Sequence, residues 1–414
     1  MTGVIQLAEH APARLFPLPD AVGRALAASK ILDSATPDLF ERGRWSLRAG
    51  SRVGAVTLGT PDGGTTTVRI TPKVPIARLF FLLGYAQDPG KGWREDAVDL
   101  AEHTELLPAL AHSMERLTDR ALRRGLLQGY REVADTSWVV RGRIRESEQM
   151  RRRFGAPLPV EIAYDEFTTD IAENRILRAA VERLLRLPGV PRDVRARLLH
   201  QRARLADVTV PGRGQRLPRW VPTRLNARYH PALRLARVVL DGSSVEHLAG
   251  GVRVDGFLFD MNRIYEDFVC TALREALRPY GGASVLQADD LHLDEGRSVP
   301  LRPDLVWYGD SGAPRVVVDA KYKAGRRGGY PNADLYQMLA YCTALGLAEG
   351  HLVYAKGNEP RRSHLVQGAG TVLHQHALDL DRQPAELLSE IRGLAGLMAG
   401  VPAGGGPRNP GAPL

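Results

Sequence analysis

The chain has 414 residues, of which 44% are hydrophobic and 25% charged. That length gives two or three domains their own cores, and that composition is ordinary for a globular protein rather than a disordered or fibrous one. The formal net charge of +9 favours polyanionic partners. Arginine supplies 50 of the 56 basic residues, a bias that a GC-rich genome produces without functional demand, and lysine occurs only at 30, 73, 91, 321, 323 and 356.

The first hundred residues read as β-rich. Val4 to Leu7, Arg52 to Leu58 and Thr65 to Ile70 are short β-type runs, and Pro61-Asp62-Gly63-Gly64 is a good hairpin turn between the last two. The most apolar run, Leu79 to Ala86, is under half the length of a membrane span and reads as a buried strand or helix. The N-terminus lacks a basic region followed by an apolar block, so no secretory signal is expected. From about residue 97 to 250 the pattern turns helical and arginine-rich. Leu106 to Leu127, Thr169 to Leu187 and Arg192 to Leu205 carry apolar residues at three- and four-residue spacing. Thr168 and Thr169 are expected N-caps, with Asp170 and Glu173 placing negative charge in the first turn. Short β-like pieces interrupt at Ser137 to Val140 and Val160 to Tyr164.

A third region begins near Gly251. Asn262 to Leu277 is an amphipathic helix, followed by a strand candidate before Asp304, a strand at Arg315 to Lys321, a helix at Asn332 to Leu345 and a strand at His351 to Tyr354. Strands alternating with helices predict a mixed α/β fold there. The Gly/Pro-rich end from Gly400 is expected to be disordered. The expected fold is therefore α+β and multidomain: a β-rich domain over 1–96, a mainly helical region over 97–250, an α/β domain over 251–399 and a tail over 400–414. Cys270 and Cys342 sit in apolar helical patterns without metal-ligand spacing, as small core residues in a reducing compartment, and the cytoplasm is the expected location.

The chemistry is concentrated between Arg302 and Lys321. Gly309 to Pro314 is dense in turn formers, so the flanking runs are expected to pair as a hairpin. If Tyr308 pairs with Arg315, Asp304 falls opposite Asp319, and strand alternation puts Lys321 on the same face. Two carboxylates and an ammonium then converge. Such a set suits phosphodiester hydrolysis: Asp304 and Asp319 can hold a Mg²⁺ that retains several waters, with the Ala320 carbonyl as a further ligand, and Lys321 can orient a water or stabilise transition-state charge. An Asp-x-Lys tripeptide alone is common. Here the acid follows three valines, a buried strand in which a charge needs a reason. Gln337 and Tyr341 share a helix face after the hairpin, and Glu266 in the preceding helix could add a carboxylate, with Asp267 as its competitor.

These segments resemble McrC, the nuclease subunit of the McrBC modified-cytosine restriction systems, within the PD-(D/E)xK superfamily. The resemblance runs in order through Ile5 to His10, Ile70-Thr71-Pro72-Lys73-Val74, Leu79 to Ala86, Gly125 to Tyr130, Val140 to Ile144 and Glu173-Asn174-Arg175-Ile176-Leu177. It continues through Ile264 to Val269, Arg302-Pro303-Asp304, Asp319-Ala320-Lys321-Tyr322 and Tyr336 to Tyr341. The nuclease motifs are shared with many PD-(D/E)xK enzymes, whereas the Pro72-Lys73 and Asn174-Arg175 segments point to McrC. The resemblance implies a Mg²⁺-dependent subunit that cuts DNA and works with a separate McrB-like AAA+ GTPase ring. The N-terminal β domain would dock into that ring and stimulate it. It also implies Asp304 and Asp319 as metal ligands and Lys321 as the catalytic lysine, with less defined roles for Glu266, Gln337 and Tyr341. The chain has no Gly-x-x-x-x-Gly-Lys-Ser/Thr sequence, so any nucleotide hydrolysis falls to the partner. The alternatives are an activator of an AAA+ partner that has lost cleavage, or a stand-alone DNA-binding repair protein.

Overall fold

The computed structural model describes residues 3–59, 64–87, 89, 105–154, 156–212, 215–249, 252–322, 332–355 and 361–400. The chain forms two compact units, one made of Met1–Glu105 with Ser244–Leu414 and the other of Leu106–Ser243.

The chain opens with β1 (Gly3–Ala8), β2 (Arg14–Pro17), α1 (Asp20–Ser29), β3 (Ser34–Pro37), β4 (Arg44–Arg48), β5 (Arg52–Gly59), β6 (Thr65–Thr71) and α2 (Ile76–Gln87). β2, β4 and β3 make a small antiparallel sheet. β1 runs parallel to β6, which pairs antiparallel with β5, and Val53, Val56, Leu58, Val68 and Ile70 turn inward. The turn expected at 61–64 lies mostly outside the described residues. The apolar run 79–86 is helical, with Leu79, Phe80 and Leu82 fully buried.

The second unit holds α3 (Leu106–Leu122), β7 (Gly129–Ser137), β8 (Arg143–Ile144), α4 (Glu146–Arg153), β9 (Val160–Thr168), α5 (Ala172–Arg186), α6 (Arg192–Arg204) and α7 (His230–Asp241). The core lies among α3, α5, α6 and α7, where Leu110, Met114, Leu177, Val181, Leu198, Leu233 and Val239 are buried. β7, β9 and β8 form a separate antiparallel sheet. The extended run therefore ends at Ser137 rather than continuing to Val140, because nine residues of β7 find partners on β9. The start of α5 also differs from expectation. Its N-cap is Ile171, and Thr168 instead accepts the Asp170 N–H at 3.1 Å. Asp170 is buried and gathers the Arg175 guanidinium at 2.7 and 2.6 Å, Arg131, and both the N–H and hydroxyl of Thr209 at 2.8 Å. The adjacent Asn174 donates to the carbonyls of Leu127 and Thr169 at 2.8 and 2.7 Å.

The chain then returns to the first unit through β10 (Ser243–Ala249), β11 (Val252–Asp260) and α8 (Met261–Leu277). The boundaries expected near 96 and 250 thus become 105 and 243, and the outer segments form one unit instead of two domains. The reason is pairing: β11 adds antiparallel to β5, completing a sheet ordered β1-β6-β5-β11-β10. Gly54 makes that seam possible. Its φ is +136°, and a Cβ there would stand 2.2 Å from the Phe257 carbonyl oxygen. The start of α8 is tied to the same sheet, since Asn262 donates to Ser51 Oγ at 2.8 Å and Met261 N–H to the Ser51 carbonyl at 2.9 Å. Phe81 and Tyr85 of α2 meet Phe268 of α8 edge-on, at 5.6 and 5.5 Å between centroids.

The remaining elements are β12 (Ala283–Leu286), β13 (Leu291–His292), β14 (Pro300–Leu301), β15 (Leu305–Tyr308), β16 (Pro314–Lys321), α9 (Asn332–Leu345), β17 (Glu349–Ala355), β18 (Arg362–Leu365), β19 (Val372–Leu378) and α10 (Pro384–Met398). A mixed sheet runs β12-β15-β16-β17-β19-β18, antiparallel at both edges and parallel from β16 through β19. α9 covers one face through Met338, Tyr341 and Cys342, which pack with Val317, Leu352 and Tyr354. The expected strand before Asp304 is the short β14, which pairs with β13. The mixed α/β character expected here is what the structure shows. Both cysteines are buried and free. The expected disordered tail lies outside the described residues from 401 onward.

Candidate active site

The hairpin of β15 and β16 sets the site. Leu305 pairs with Val318, Val306 with Val317 and Trp307 with Val316, so the register carried back one residue puts Asp304 opposite Asp319. The pairing expected of Tyr308 differs. A bulge between Trp307 and Tyr308 gives it Pro314 as partner, and the shift lies at the turn end, away from the carboxylates. Alternation along β16 places Asp319 and Lys321 on the face of Val317, toward α9.

Asp304 lies just before β15, and its Oδ2 accepts the Ala320 N–H at 2.8 Å. Asp319 is 1% exposed, with its Oδ2 2.5 Å from Lys321 Nζ. Burial, and then the charge of Asp304, push the Asp319 carboxyl up to about 7. Burial also raises Asp304, against the stabilising Ala320 N–H. Lys321 is opposed by burial, but Asp319 and then Asp304 outweigh it and hold the ammonium above its ordinary range.

The other expected residues fall around this core. Glu266 on α8 is half-buried and raised by burial; it feels Lys321, which lowers it, and Asp319, which raises it. Gln337 is exposed on α9 and donates to the Tyr341 hydroxyl at 2.7 Å. That hydroxyl donates to the Arg302 carbonyl at 3.1 Å, so α9 is tied to the segment leading into Asp304. Burial, and then Asp319, push the Tyr341 phenol up to about 12. Sequence reasoning missed Asp334. It is buried on α9, accepts the Tyr354 hydroxyl at 3.2 Å, and its charge also supports Lys321. Its position in the first turn of the predicted helix after the hairpin was the available signal.

The donor set admits a hard divalent ion. Among the described residues no group of three or more His, Cys, Asp or Glu side chains is arranged to hold a metal, and Glu266 bears on both aspartates as a third negative charge. What converges is the Asp304–Asp319 pair beside the Ala320 peptide, a set of the kind Mg²⁺ takes when it keeps several waters. Both carboxyls resist ionisation through burial, and negative neighbours add to it, Asp304 for Asp319 and Glu266 for Asp304. A cation between them would remove that penalty.

The clustered arginines of the second unit are engaged within that unit. Arg141 lies over the Tyr164 ring at 4.7 Å, and Arg143 pairs with Glu132. Arg151 and Arg152 meet Glu148 at 2.7 and 3.1 Å, and Arg153 meets Glu161 at 3.4 Å.

The family model described as "McrBC 5-methylcytosine restriction system component" matches residues 47–355, well over half of the chain. The chain belongs to that family. No curated relative matches it. Among solved structures it is similar to a chain from the refined half-complex of a tetradecameric assembly of Thermococcus gammatolerans McrB AAA+ hexamers with bound McrC. The TM-score is 0.57 and the identity 18%, over 94% of this chain and 98% of that one. A second match, to the cryo-EM structure of the Thermococcus gammatolerans McrBC complex, has a TM-score of 0.38 and 19% identity over 66% of this chain and 88% of that one. The first likeness is one of fold over nearly the whole length. Among the described residues no helix is long and apolar enough to cross a membrane.

Proposed function

We propose that this chain is the DNA-cleaving subunit of a McrBC-type restriction system, with a Mg²⁺-dependent PD-(D/E)xK nuclease centre at Asp304, Asp319 and Lys321. The observation that carries the reading is the convergence of the buried Asp319, the half-buried Asp304 and one ammonium on a single strand register. Asp304, Asp319 and the Ala320 carbonyl would hold Mg²⁺, which supplies charge to a substrate phosphate and lowers the pKa of a water. Lys321, fixed by Asp319, is placed to orient the attacking water or to meet charge developing on the phosphoryl oxygens. Ala320 N–H holds the Asp304 carboxylate in place, and Tyr341 fixes the approach of the Arg302-Pro303-Asp304 segment. Glu266 adds negative potential at the site from α8. DNA is the proposed substrate, and the cytoplasm the proposed compartment.

The proposed partner is an AAA+ GTPase ring of the McrB kind, which supplies the P-loop this sequence lacks and is stimulated on binding. The surface that best suits it is in the second unit. Tyr130, Trp138, Val139, Phe154 and Phe167 are all more than half exposed, on or beside the β7-β9-β8 sheet and α4. The Tyr130 and Phe167 rings meet at 5.1 Å between centroids, and large apolar side chains exposed together mark protein contacts. These side chains support a docking surface in 129–167 as the alternative to the N-terminal β segment that the resemblance implies.

The reading is tested by DNA cleavage with Mg²⁺, the AAA+ partner and nucleotide, comparing wild type with Asp319→Ala and Lys321→Ala. Both variants should be inactive while still stimulating the partner's GTPase. Cutting that persists in both variants removes the site assignment. A wild type that stimulates the partner and never cuts is an activator only.

A further inference from the structure

Glu9, at the end of β1, is 1% exposed and belongs to none of the chemistry above. Its N–H continues the sheet by donating to the Thr71 carbonyl at 3.0 Å. Its Oε2 accepts two hydrogen bonds at 3.1 Å, one from the Lys73 N–H and one from the Tyr322 hydroxyl. Tyr322 directly follows Lys321 and is itself 6% exposed. Its ring stands 5.9 Å from that of Tyr265, the neighbour of Glu266. Burial pushes the Glu9 carboxyl up to about 7 and raises the Tyr322 phenol too, so the phenol keeps the proton it donates.

A buried carboxyl is a costly way to join two strands. Apolar side chains of similar volume hold such a junction at least as firmly, and what a polar contact adds is direction. The direction matters at this point in the chain. Carried one residue past β16, strand alternation sends Tyr322 to the face opposite Asp319 and Lys321. A fixed hydroxyl on one face sets the roll of the strand end, and hence the angle at which the ammonium meets Asp319 on the other.

We propose that Glu9 is a positioning residue for the nuclease centre, acting through Tyr322 to hold the end of β16 so that Lys321 and Asp319 stay in register. The inference rests on the proposed nuclease reading for its catalytic consequence. Its mechanical content, that β1 and the Pro72-Lys73 turn steady the strand end, stands apart from it. The Pro72-Lys73 segment thereby gains a function: its backbone N–H shares the Glu9 oxygen that steers Tyr322.

The test uses the full chain with two readouts. In Tyr322→Phe and in Glu9→Leu, amide exchange across 317–321 should quicken about tenfold, the effect of one hydrogen bond to an ionisable group. Exchange in β19 should stay at the wild-type rate. Cleavage with partner and Mg²⁺ should lose about tenfold in kcat with KM for DNA unchanged. Glu9→Gln, whose amide oxygen still accepts the phenol, should recover most of the loss seen in Glu9→Leu. The double variant Glu9→Leu/Tyr322→Phe should be no worse than Glu9→Leu alone, since that change already breaks the bond to the phenol. Wild-type exchange across 317–321 in Tyr322→Phe, or additive losses in the double variant, overturns the proposal. A wild-type chain that never cuts DNA refutes the nuclease reading instead, and the exchange measurement still decides the mechanical link.

Discussion

Lys321 Nζ lies 2.5 Å from Asp319 Oδ2, and this one ammonium serves Asp304 and Asp334 as well. The site is therefore short of positive charge, and its residues differ in sign of effect on stability. The folded Asp319 carboxyl sits at about 7, above its ordinary 3.8, so the folded chain holds a proton that the unfolded chain releases. Stability then falls as pH rises from about 4 to about 7, and the full penalty applies above that. Asp319→Asn should stabilise the chain by roughly 1–3 kcal/mol at pH 8 and by almost nothing at pH 4, while abolishing cleavage. Lys321→Met should destabilise it at pH 8, because it leaves buried carboxylates without a counter-ion. Thermal melts at both pH values check this; an Asp319→Asn chain that melts below wild type at pH 8 would contradict it.

Divalent-ion binding should depend on the same groups. Protonated carboxyls do not ligate, and both Asp304 and Asp319 are raised. Affinity for Mn²⁺, measured by equilibrium dialysis on the full chain, should rise between pH 6 and pH 8 as Asp319 ionises. Asp319→Asn should bind at least tenfold more weakly at pH 8, as expected when one of two charged ligands is removed. Equal affinity at the two pH values in wild type would show that the ion binds elsewhere.

The facing of Asp304 and Asp319 was legible in the sequence because a hairpin with a period of two fixes it locally. A dense turn and two β-branched runs suffice to set the register, and the bulge at Trp307/Tyr308 lies at the turn end, where it leaves that register unchanged. The same local logic located α8, α9 and β17. What stayed hidden was non-local. That β11 would join β5 depends on Gly54 admitting the Phe257 carbonyl, a match between residues about two hundred positions apart with no periodic signature. Glu9 and Tyr322 are separated by 313 residues, so neither sequence context announces the other. Asp170 looked like a helix-start charge and is instead the hub of a buried ion cluster, a role set by Arg131 and Thr209 arriving from other elements.

That cluster predicts how the second unit fails. Asp170 is held far below the ordinary carboxylate range, by the Arg175 guanidinium first and by Thr209 after the cost of burial. A depressed folded pKa contributes stability that is complete above about pH 4 and is lost as pH falls further. Asp170→Ala should cost about 3–5 kcal/mol, since it strands the Arg175 and Arg131 guanidinium groups around a buried position. Asp170→Asn should cost less, because it keeps acceptors for Thr209. Denaturant unfolding of the full chain should show a separate early transition in Asp170→Ala, and a single transition at the wild-type midpoint would refute the hub.

The exposed aromatic surface makes the last prediction. Trp138 is 73% exposed and Phe154 93%, and neither supports a core, so replacing them should leave the fold intact. Trp138→Ser and Phe154→Ser should each shift the melting temperature by no more than about 1 °C, as surface changes within about 0.5 kcal/mol do. If this face binds the AAA+ ring, the same substitutions should weaken binding at least tenfold, because buried aromatic anchors carry most of an interface's energy. They should abolish stimulation of the partner's GTPase in parallel. Leu39 and Phe40, exposed in the N-terminal segment at 90% and 94%, supply the control. If Leu39→Ser and Phe40→Ser break the complex while Trp138→Ser and Phe154→Ser do not, docking belongs to the N-terminal β segment, as the sequence resemblance implied.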